Sequence, residues 1–204
     1  MKPSVDEITK QALEVLRGGG IIVYPTDTIW GIGCDATNPA AVRRVYEIKR
    51  RQDSKALVLL AASLDMVARY VKEIPPIAVD LVEVNDTPMT IIYPQGIAGR
   101  PGTDDAGDRH FLAWNVVAED GSVGIRIPMN EFCRNLSFKF GRPIVSTSAN
   151  ISGSPAPEDF GNIAPEVLEA ADYVVPAFLG KGSTGAASQI IKVEVDGQVK
   201  IIRA

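Results

Sequence analysis

Short apolar runs alternate with amphipathic segments along the whole 204-residue chain, and that alternation limits the fold more than any other feature. Residues 21–24 (Ile-Ile-Val-Tyr) read as a buried strand stopped by Pro25, and residues 56–61 and 89–93 as a second and a third. Residues 123–127, 143–146 and 173–175 continue the series. A closing pair, 189–195 and 199–202, is joined around Asp196-Gly197, a two-residue hairpin signal. Helical patterns fall between these runs. Val5, Ile8, Ala12, Val15 and Leu16 share one face of a first helix ended by Gly18-Gly19-Gly20. Asn38-Pro39 pairs a side-chain cap with proline in the first turn, opening a second. Further helices fit 64–71, 77–84, 130–140 and 165–171. Strands and helices alternate without internal repeats, so the class is α/β with an antiparallel portion. One domain spans 1–204, and 95–120, rich in Gly, Asp and Arg, forms a long loop or insertion of the functional or mobile kind.

Several function classes drop out early. Two cysteines, Cys34 and Cys133, cannot make a disulfide framework and fit a reducing compartment. The first ten residues lack the apolar stretch of a signal peptide, and no apolar run reaches the roughly 18 residues that span a bilayer. The expected location is therefore cytoplasmic, without membrane contact. A net charge of −4 lacks the basic surplus of a dedicated nucleic-acid binder. His110 is the sole histidine, so a Ser-His-Asp triad would rest on the irregular stretch. No Cys/His spacing supports zinc, and neither a P-loop nor a Rossmann glycine pattern is present.

Four segments remain that could carry chemistry. In Tyr24-Pro25-Thr26-Asp27-Thr28-Ile29-Trp30-Gly31-Ile32-Gly33 a strand ends in hydroxyls, a carboxylate and glycines, as ligand-displaying loops do. A polar turn capped by its own threonines would look the same. Lys49-Arg50-Arg51-Gln52-Asp53-Ser54-Lys55 gathers cations that suit a polyphosphate, or that merely suit a helix C-terminus. Ser122-Val123-Gly124-Ile125-Arg126-Ile127-Pro128 sets an arginine in an apolar strand, where burial calls for a carboxylate or phosphate partner. Pro143 to Gly153 discharges a strand into Ser146-Thr147-Ser148-Ala149-Asn150, donors suited to nucleotide phosphates and equally to ordinary turns.

Taken in order, these segments resemble the YrdC family of threonylcarbamoyl-AMP synthases. The shared pattern is Pro25-Thr26-x-Thr28 with Gly31-x-Gly33, Lys49-x-Arg51 with Lys55 four further on, Gly124-x-Arg126-x-Pro128, and Ser146-x-Ser148-Ala149-Asn150. Each is weak alone, and the four together cover nearly the whole chain. The resemblance, to the short single-domain type, implies a twisted mixed sheet with flanking helices and a concave, positively charged cavity. It implies a nucleotidyltransferase that condenses L-threonine, bicarbonate and ATP, with Mg²⁺, to threonylcarbamoyl-AMP and pyrophosphate. A partner transferase complex then uses that product on transfer RNA, which the enzyme itself could contact. By position, Thr28, Arg126 and Ser146 match threonine-binding residues of the family. Arg51, Lys55, Ser122, Ser148, Asn150 and Ser188 match ATP-binding ones. Lys49, Arg51 and Lys55 are the expected catalytic cations, and no protein ligand to a metal is assigned.

This chain departs from the pattern at four places. Only Pro88 and Thr90 remain of the motif before the third strand, and Ala156 stands where a hydroxyl residue is usual. Pro176-Ala177-Phe178 replaces an Asp-Gly-Gly segment, and 96–110 is longer and more polar than usual. The first three bear on substrate contacts, including selectivity for threonine over serine, and the fourth on a lid or an interface. The alternative is a non-synthase paralogue that binds RNA or a nucleotide in ribosome or transfer-RNA maturation. An unrelated α/β hydrolase is a distant third.

Overall fold

The structure is a computed structural model that describes residues 2–51, 57–100 and 110–204. Among the described residues, nine strands form one mixed sheet in the order β7-β1-β2-β6-β3-β5-β4-β8-β9. In chain order they are β1 (Ile22–Tyr24), β2 (Gly31–Gly33), β3 (Val58–Leu60), β4 (Met89–Tyr93), β5 (Val123–Arg126), β6 (Ile144–Ser148), β7 (Tyr173–Val174), β8 (Gln189–Val193) and β9 (Val199–Arg203). The pairs β1–β7, β3–β5 and β4–β8 run parallel and the others antiparallel. The expected α/β class with an antiparallel portion is the observed one. The helices are α1 (Val5–Arg17), α2 (Pro39–Ile48), α3 (Leu64–Val67), α4 (Pro76–Val84), α5 (Glu131–Phe140) and α6 (Pro165–Ala170). Among the described residues, no helix is long and apolar enough to cross a membrane.

Local signals start and stop the helices. Ser4 and Glu7 exchange a reciprocal capping box at the head of α1. The Asn38 side chain accepts from the Ala40 and Ala41 amides ahead of α2, and Asn130 does the same for the Cys133 amide in α5. Gly141 ends α5 in the left-handed conformation at φ 79°.

Alternation along the strands then divides the core between two faces. On one face Ile22, Tyr24, Leu60 and Ile144 meet Ile8, Leu13 and Leu16 of α1 and Phe132, Leu136 and Phe140 of α5. On the other, Val23, Leu59, Val145 and Ile125 join Val42, Val45 and Tyr46 of α2 in a larger cluster. Part of the irregular stretch belongs to that second layer. Leu112, Ala113, Asn115 and Val116 are buried, Tyr46 donates its hydroxyl to the Asn115 carbonyl at 3.0 Å, and Asn115 Nδ2 donates to the Pro39 carbonyl at 3.0 Å. The end of the long loop is thus core, whereas 101–109 lie outside the described residues.

Two local expectations differ from what forms. Residues 31–33 read as loop but make β2, paired with β1 and β6. With glycine at both ends the segment shows no strand periodicity, yet the close approach requires it. A Cβ on Gly33 would lie 2.1 Å from the Val145 carbonyl oxygen and 2.9 Å from the Tyr24 ring. The last hairpin has three loop residues rather than two. Gly197 N bonds Glu194 O at 3.0 Å and Glu194 N bonds Gln198 O at 2.9 Å, with Gly197 at φ 83°. This is a type I turn followed by a left-handed glycine, the next most common solution for a twisted hairpin.

Because the obstacle at Gly33 is backbone, no rotamer change relieves it. Gly33→Ala is expected to lose roughly 3 kcal/mol of folding free energy, the upper end of ordinary overpacking. Urea denaturation measures this, and an unchanged midpoint would show that the β2–β6 contact is slack.

Candidate active site

The face that α1 and α5 cover does not end where the helices end. The registers Leu60↔Arg126 and Leu60↔Ile144 form one row across it, and Val58↔Gly124 and Val58↔Ser146 form the next. Gly31↔Ser148 extends the same face toward β1. Ile144 and Leu60 are packed in the apolar cluster. Val58, Ser146, Ser148 and Arg126 instead line an open cavity of about 350 Å³, with Thr28 and Arg51 on its wall. Small residues keep the floor hollow, since a Cβ on Gly31 would already sit 3.4 Å from the Ser146 hydroxyl.

Arg126 is buried at 4% exposure. Its Nη1 donates to Thr28 Oγ1 at 3.0 Å and lies 3.2 Å from Asp27 Oδ1. The carboxylate that the strand position demanded is therefore Asp27, from the chain itself. Asp27 Oδ2 also accepts from the Met129 amide at 3.1 Å, tying the turn before α5 to the loop after β1. Thr26 and Thr28 share a hydroxyl contact of 2.8 Å, and the Thr28 amide donates to Thr26 Oγ1 at 3.1 Å. A second loop closes over this turn: Thr184 N and Gly185 N donate to the carbonyls of Asp27 and Thr28 at 3.0 and 2.8 Å. The Ser183 hydroxyl reaches the Thr26 carbonyl at 2.6 Å.

Lys49 is 2% exposed. Its ammonium donates to the Ser148 carbonyl at 2.5 Å, the Asn150 carbonyl at 2.8 Å and Asn150 Oδ1 at 3.1 Å. The Lys49 carbonyl also accepts from the Ser152 amide at 2.8 Å. All three ammonium donors are engaged, so Lys49 holds the hydroxyl-rich loop rather than presenting its charge. Burial, and then the neighbouring Arg51, lower its pKa to about 8. Burial also lowers Arg51, and burial followed by Arg126 lowers Arg203.

Beside the cavity opens a recess of about 520 Å³ that includes Lys49, Arg50, Arg51, Ser148, Asn150 and Ser152. Arg51 and Ser148 line both spaces. Of the residues expected from sequence, Thr28, Arg51, Arg126, Ser146, Ser148 and Ser188 line the first cavity, and Lys49 and Asn150 the second. Ser188 bonds Thr90 hydroxyl to hydroxyl at 2.8 Å, so the retained Thr90 has a place. Ser122 is not brought to the cavity. Its amide and hydroxyl both go to Asp120 Oδ1 at 2.9 and 2.6 Å, because it sits in the turn that enters β5, at the far end of the strand from Arg126. Lys55 lies outside the described residues. Sequence reasoning missed Arg203, which lines the cavity and donates from Nε and Nη2 to the Ser188 carbonyl at 2.9 and 2.6 Å. Nothing in its local pattern marks it, since the closing hairpin alone carries it there.

The family model Sua5_yciO_yrdC, described as telomere recombination, matches residues 14–204. A protein of Methanocaldococcus jannaschii is 35% identical over 202 residues, covering 96% of this chain and 87% of its own length. The Xanthomonas euvesicatoria pv. vesicatoria protein named threonylcarbamoyl-AMP synthase is 32% identical over 196 residues, covering 95% of each. Among solved structures, that of P. abyssi Sua5 complexed with L-threonine superposes with a TM-score of 0.76 at 26% identity over 95% of this chain. This chain spans about half of that structure's length, 52%.

Burial lets the enclosed Lys49 lose its proton at about pH 8, whereas a Lys49 returned to water by loop opening keeps it up to 10.5. In that window opening takes up a proton, so it becomes less favourable as pH rises. Protection of the Ala149 and Ser152 amides, bonded to Trp30 O and Lys49 O, is expected to increase as pH passes about 8, and Lys49→Met should lose that rise. Hydrogen exchange corrected for intrinsic base catalysis, run from about pH 7 to about pH 10, tests this, and a flat wild-type profile would refute the clamp.

Proposed function

This chain belongs to the Sua5/YciO/YrdC family, and from that premise we propose that it is a threonylcarbamoyl-AMP synthase. It joins L-threonine, bicarbonate and ATP, giving threonylcarbamoyl-AMP, pyrophosphate and water. The observation that carries the reading is convergence: Thr28, Arg51, Arg126, Ser146 and Ser148, from four separated segments, line one cavity.

In this reading threonine occupies the space bounded by Thr28, Arg126 and Ser146, with its carboxylate toward the Arg126 guanidinium. Asp27 and Thr28 hold that guanidinium from behind. ATP lies along Arg51, Ser148, Asn150 and Ser188, and the expected contact from Lys55 falls outside the described residues. Magnesium enters with the nucleotide phosphates. Among the described residues no group of three His, Cys, Asp or Glu is set to hold a metal.

The threonine nitrogen adds to the carbon of bicarbonate with loss of water, forming a carbamate. A carbamate oxygen then attacks the α-phosphorus, and the bond from that phosphorus to the bridging oxygen breaks as pyrophosphate leaves. No covalent intermediate on the protein is needed. Two anions must be held in contact while charge builds on the leaving group, a task for positioning and preorganised cations. Arg51 lines both spaces and so stands where nucleophile and leaving group adjoin. Lys49 contributes by fixing Ser148 and Asn150. The product would pass to a partner transferase complex that modifies an adenosine of transfer RNA in the cytoplasm.

Incubation with labelled threonine, bicarbonate, ATP and magnesium should yield the acyl-adenylate with equimolar pyrophosphate. ATP binding without pyrophosphate release would favour a nucleotide-binding paralogue instead. Arg51→Ala should retain the fold and lose about a hundredfold in rate, or about 3 kcal/mol of transition-state stabilisation. A wild-type rate would remove Arg51 from the chemistry. Thr28→Ala should raise the KM for threonine about tenfold, the weight of one lost polar contact plus a loosened Arg126. The KM for ATP should scarcely move, and equal shifts in both would show that the subsites are assigned wrongly.

A further inference from the structure

Arg50 stands where the end of a helix usually has glycine. Beyond α2, Arg50 N bonds Glu47 O at 3.0 Å and Arg51 N bonds Tyr46 O at 2.9 Å, a closure that puts the residue between them in the left-handed region. Arg50 adopts it at φ 49°. A side chain with a Cβ is disfavoured there, so an observed outlier of this kind at a site asks what the side chain does.

Arg50 lines the second recess beside Lys49, Arg51, Ser148 and Ser152. The Lys49 ammonium is turned away into the Ser148–Asn150 carbonyls, and Arg51 also faces the first cavity. Arg50 pairs with Glu166 at 3.1 Å, with the two side chains 70% and 64% exposed. An ion pair that open to solvent is weak and easily exchanged. A terminal phosphate offers a guanidinium a stronger, two-pronged contact.

We infer that Arg50 is a polyphosphate-binding residue, leaving Glu166 to hold the β- and γ-phosphates of ATP in the second recess. This rests on the reading that the site takes ATP, and it assigns the nucleotide's polyphosphate end to that recess. The backbone strain at Arg50 is then the cost of a cation at a position glycine would fill more comfortably.

Titration calorimetry with ATP and with AMP separates the possibilities. Arg50→Gly removes both the cation and the strain, so its thermal midpoint should be no lower than wild type. Its ATP affinity should fall about tenfold, as for one lost charge-assisted contact, while AMP affinity stays unchanged. Arg50→Asn, which also tolerates the left-handed region, should behave alike and guards against a folding defect in the first variant. Glu166→Gln should tighten ATP about two- to threefold by freeing the guanidinium. ATP binding unchanged in both Arg50 variants would overturn the assignment, as would an equal loss for AMP and ATP. Wild-type protein that binds neither nucleotide would sink the synthase reading and this inference together.

Discussion

One face of one sheet has to be greasy under two helices and polar a few ångströms further on, and the site depends on that change. Side chains on a strand alternate with a period of two, so a strand cannot turn polar on one face without every second residue being chosen for it. β6 shows how this is met: Ile144, Ser146 and Ser148 point the same way, and only the first lies under α5. On β3, Leu60 is in the covered cluster and Val58 at the cavity, while on β5 the row of Leu60 and Ile144 ends in Arg126, which borders the cavity from the side. The helices set where it occurs. Phe132, Leu136 and Phe140 dry the covered half of the face, and the uncovered half becomes the cavity floor.

The same arrangement gives similar cations different work. Arg126 is enclosed and balanced by Asp27, which makes it a fixed pair of known orientation rather than an open positive charge. Lys49 is equally enclosed, but its ammonium is consumed by loop carbonyls. Of these three cations, Arg51 is the one that lines both the cavity and the recess. Charge counting along the sequence would treat all three alike. Burial and partners separate them: Arg126 is paired to Asp27, Lys49 clamps a loop, and Arg51 borders both spaces, an asymmetry that would suit the proposed reaction, in which one anion is held still while charge migrates on another.

What was legible from sequence follows from how local each signal is. The α1, α2 and α5 starts are written in Ser4, Asn38 and Asn130, each acting within four residues, and the apolar strands are written in their own side chains. β2 was not legible because Gly31-Ile32-Gly33 is a strand by virtue of its neighbours, whose backbones leave room for nothing larger at Gly33. Ser122 was expected at the site from motif position, but Asp120, two residues away, takes its hydroxyl. Arg203 could not be found at all. Its position depends on the β8–β9 turn and on a register shift beside Ile190, long-range facts that no short window contains. Thr28, Arg126 and Ser148 sit at or just past the ends of strands, where α/β folds collect their ligand groups, whereas Arg51 follows α2 and was placed with them only by the order of the four motifs in the family pattern.

The departures from the family pattern are not equivalent once their surroundings are known. Pro176-Ala177-Phe178 leads into a short 3-10 helix, Ala177–Gly180, with Phe178 and Leu179 packed against the cluster under α1 and α5. Gly180 closes on Trp30, where a Cβ would come within 2.8 Å of the indole. The segment joins the Ser183–Gly185 strap, whose Ser183 hydroxyl reaches the Gly180 carbonyl at 3.2 Å, while Pro176, Ala177 and Phe178 are not among the residues that line the cavity. Ala156 is different, because it lines the cavity itself. A hydroxyl lost there removes a donor from the wall without changing the fold. Ala156 also borders a further recess with Asn150 and Ser154, on the side proposed for the nucleotide, so a change of side chain there bears on ATP contacts before it bears on the threonine methyl group.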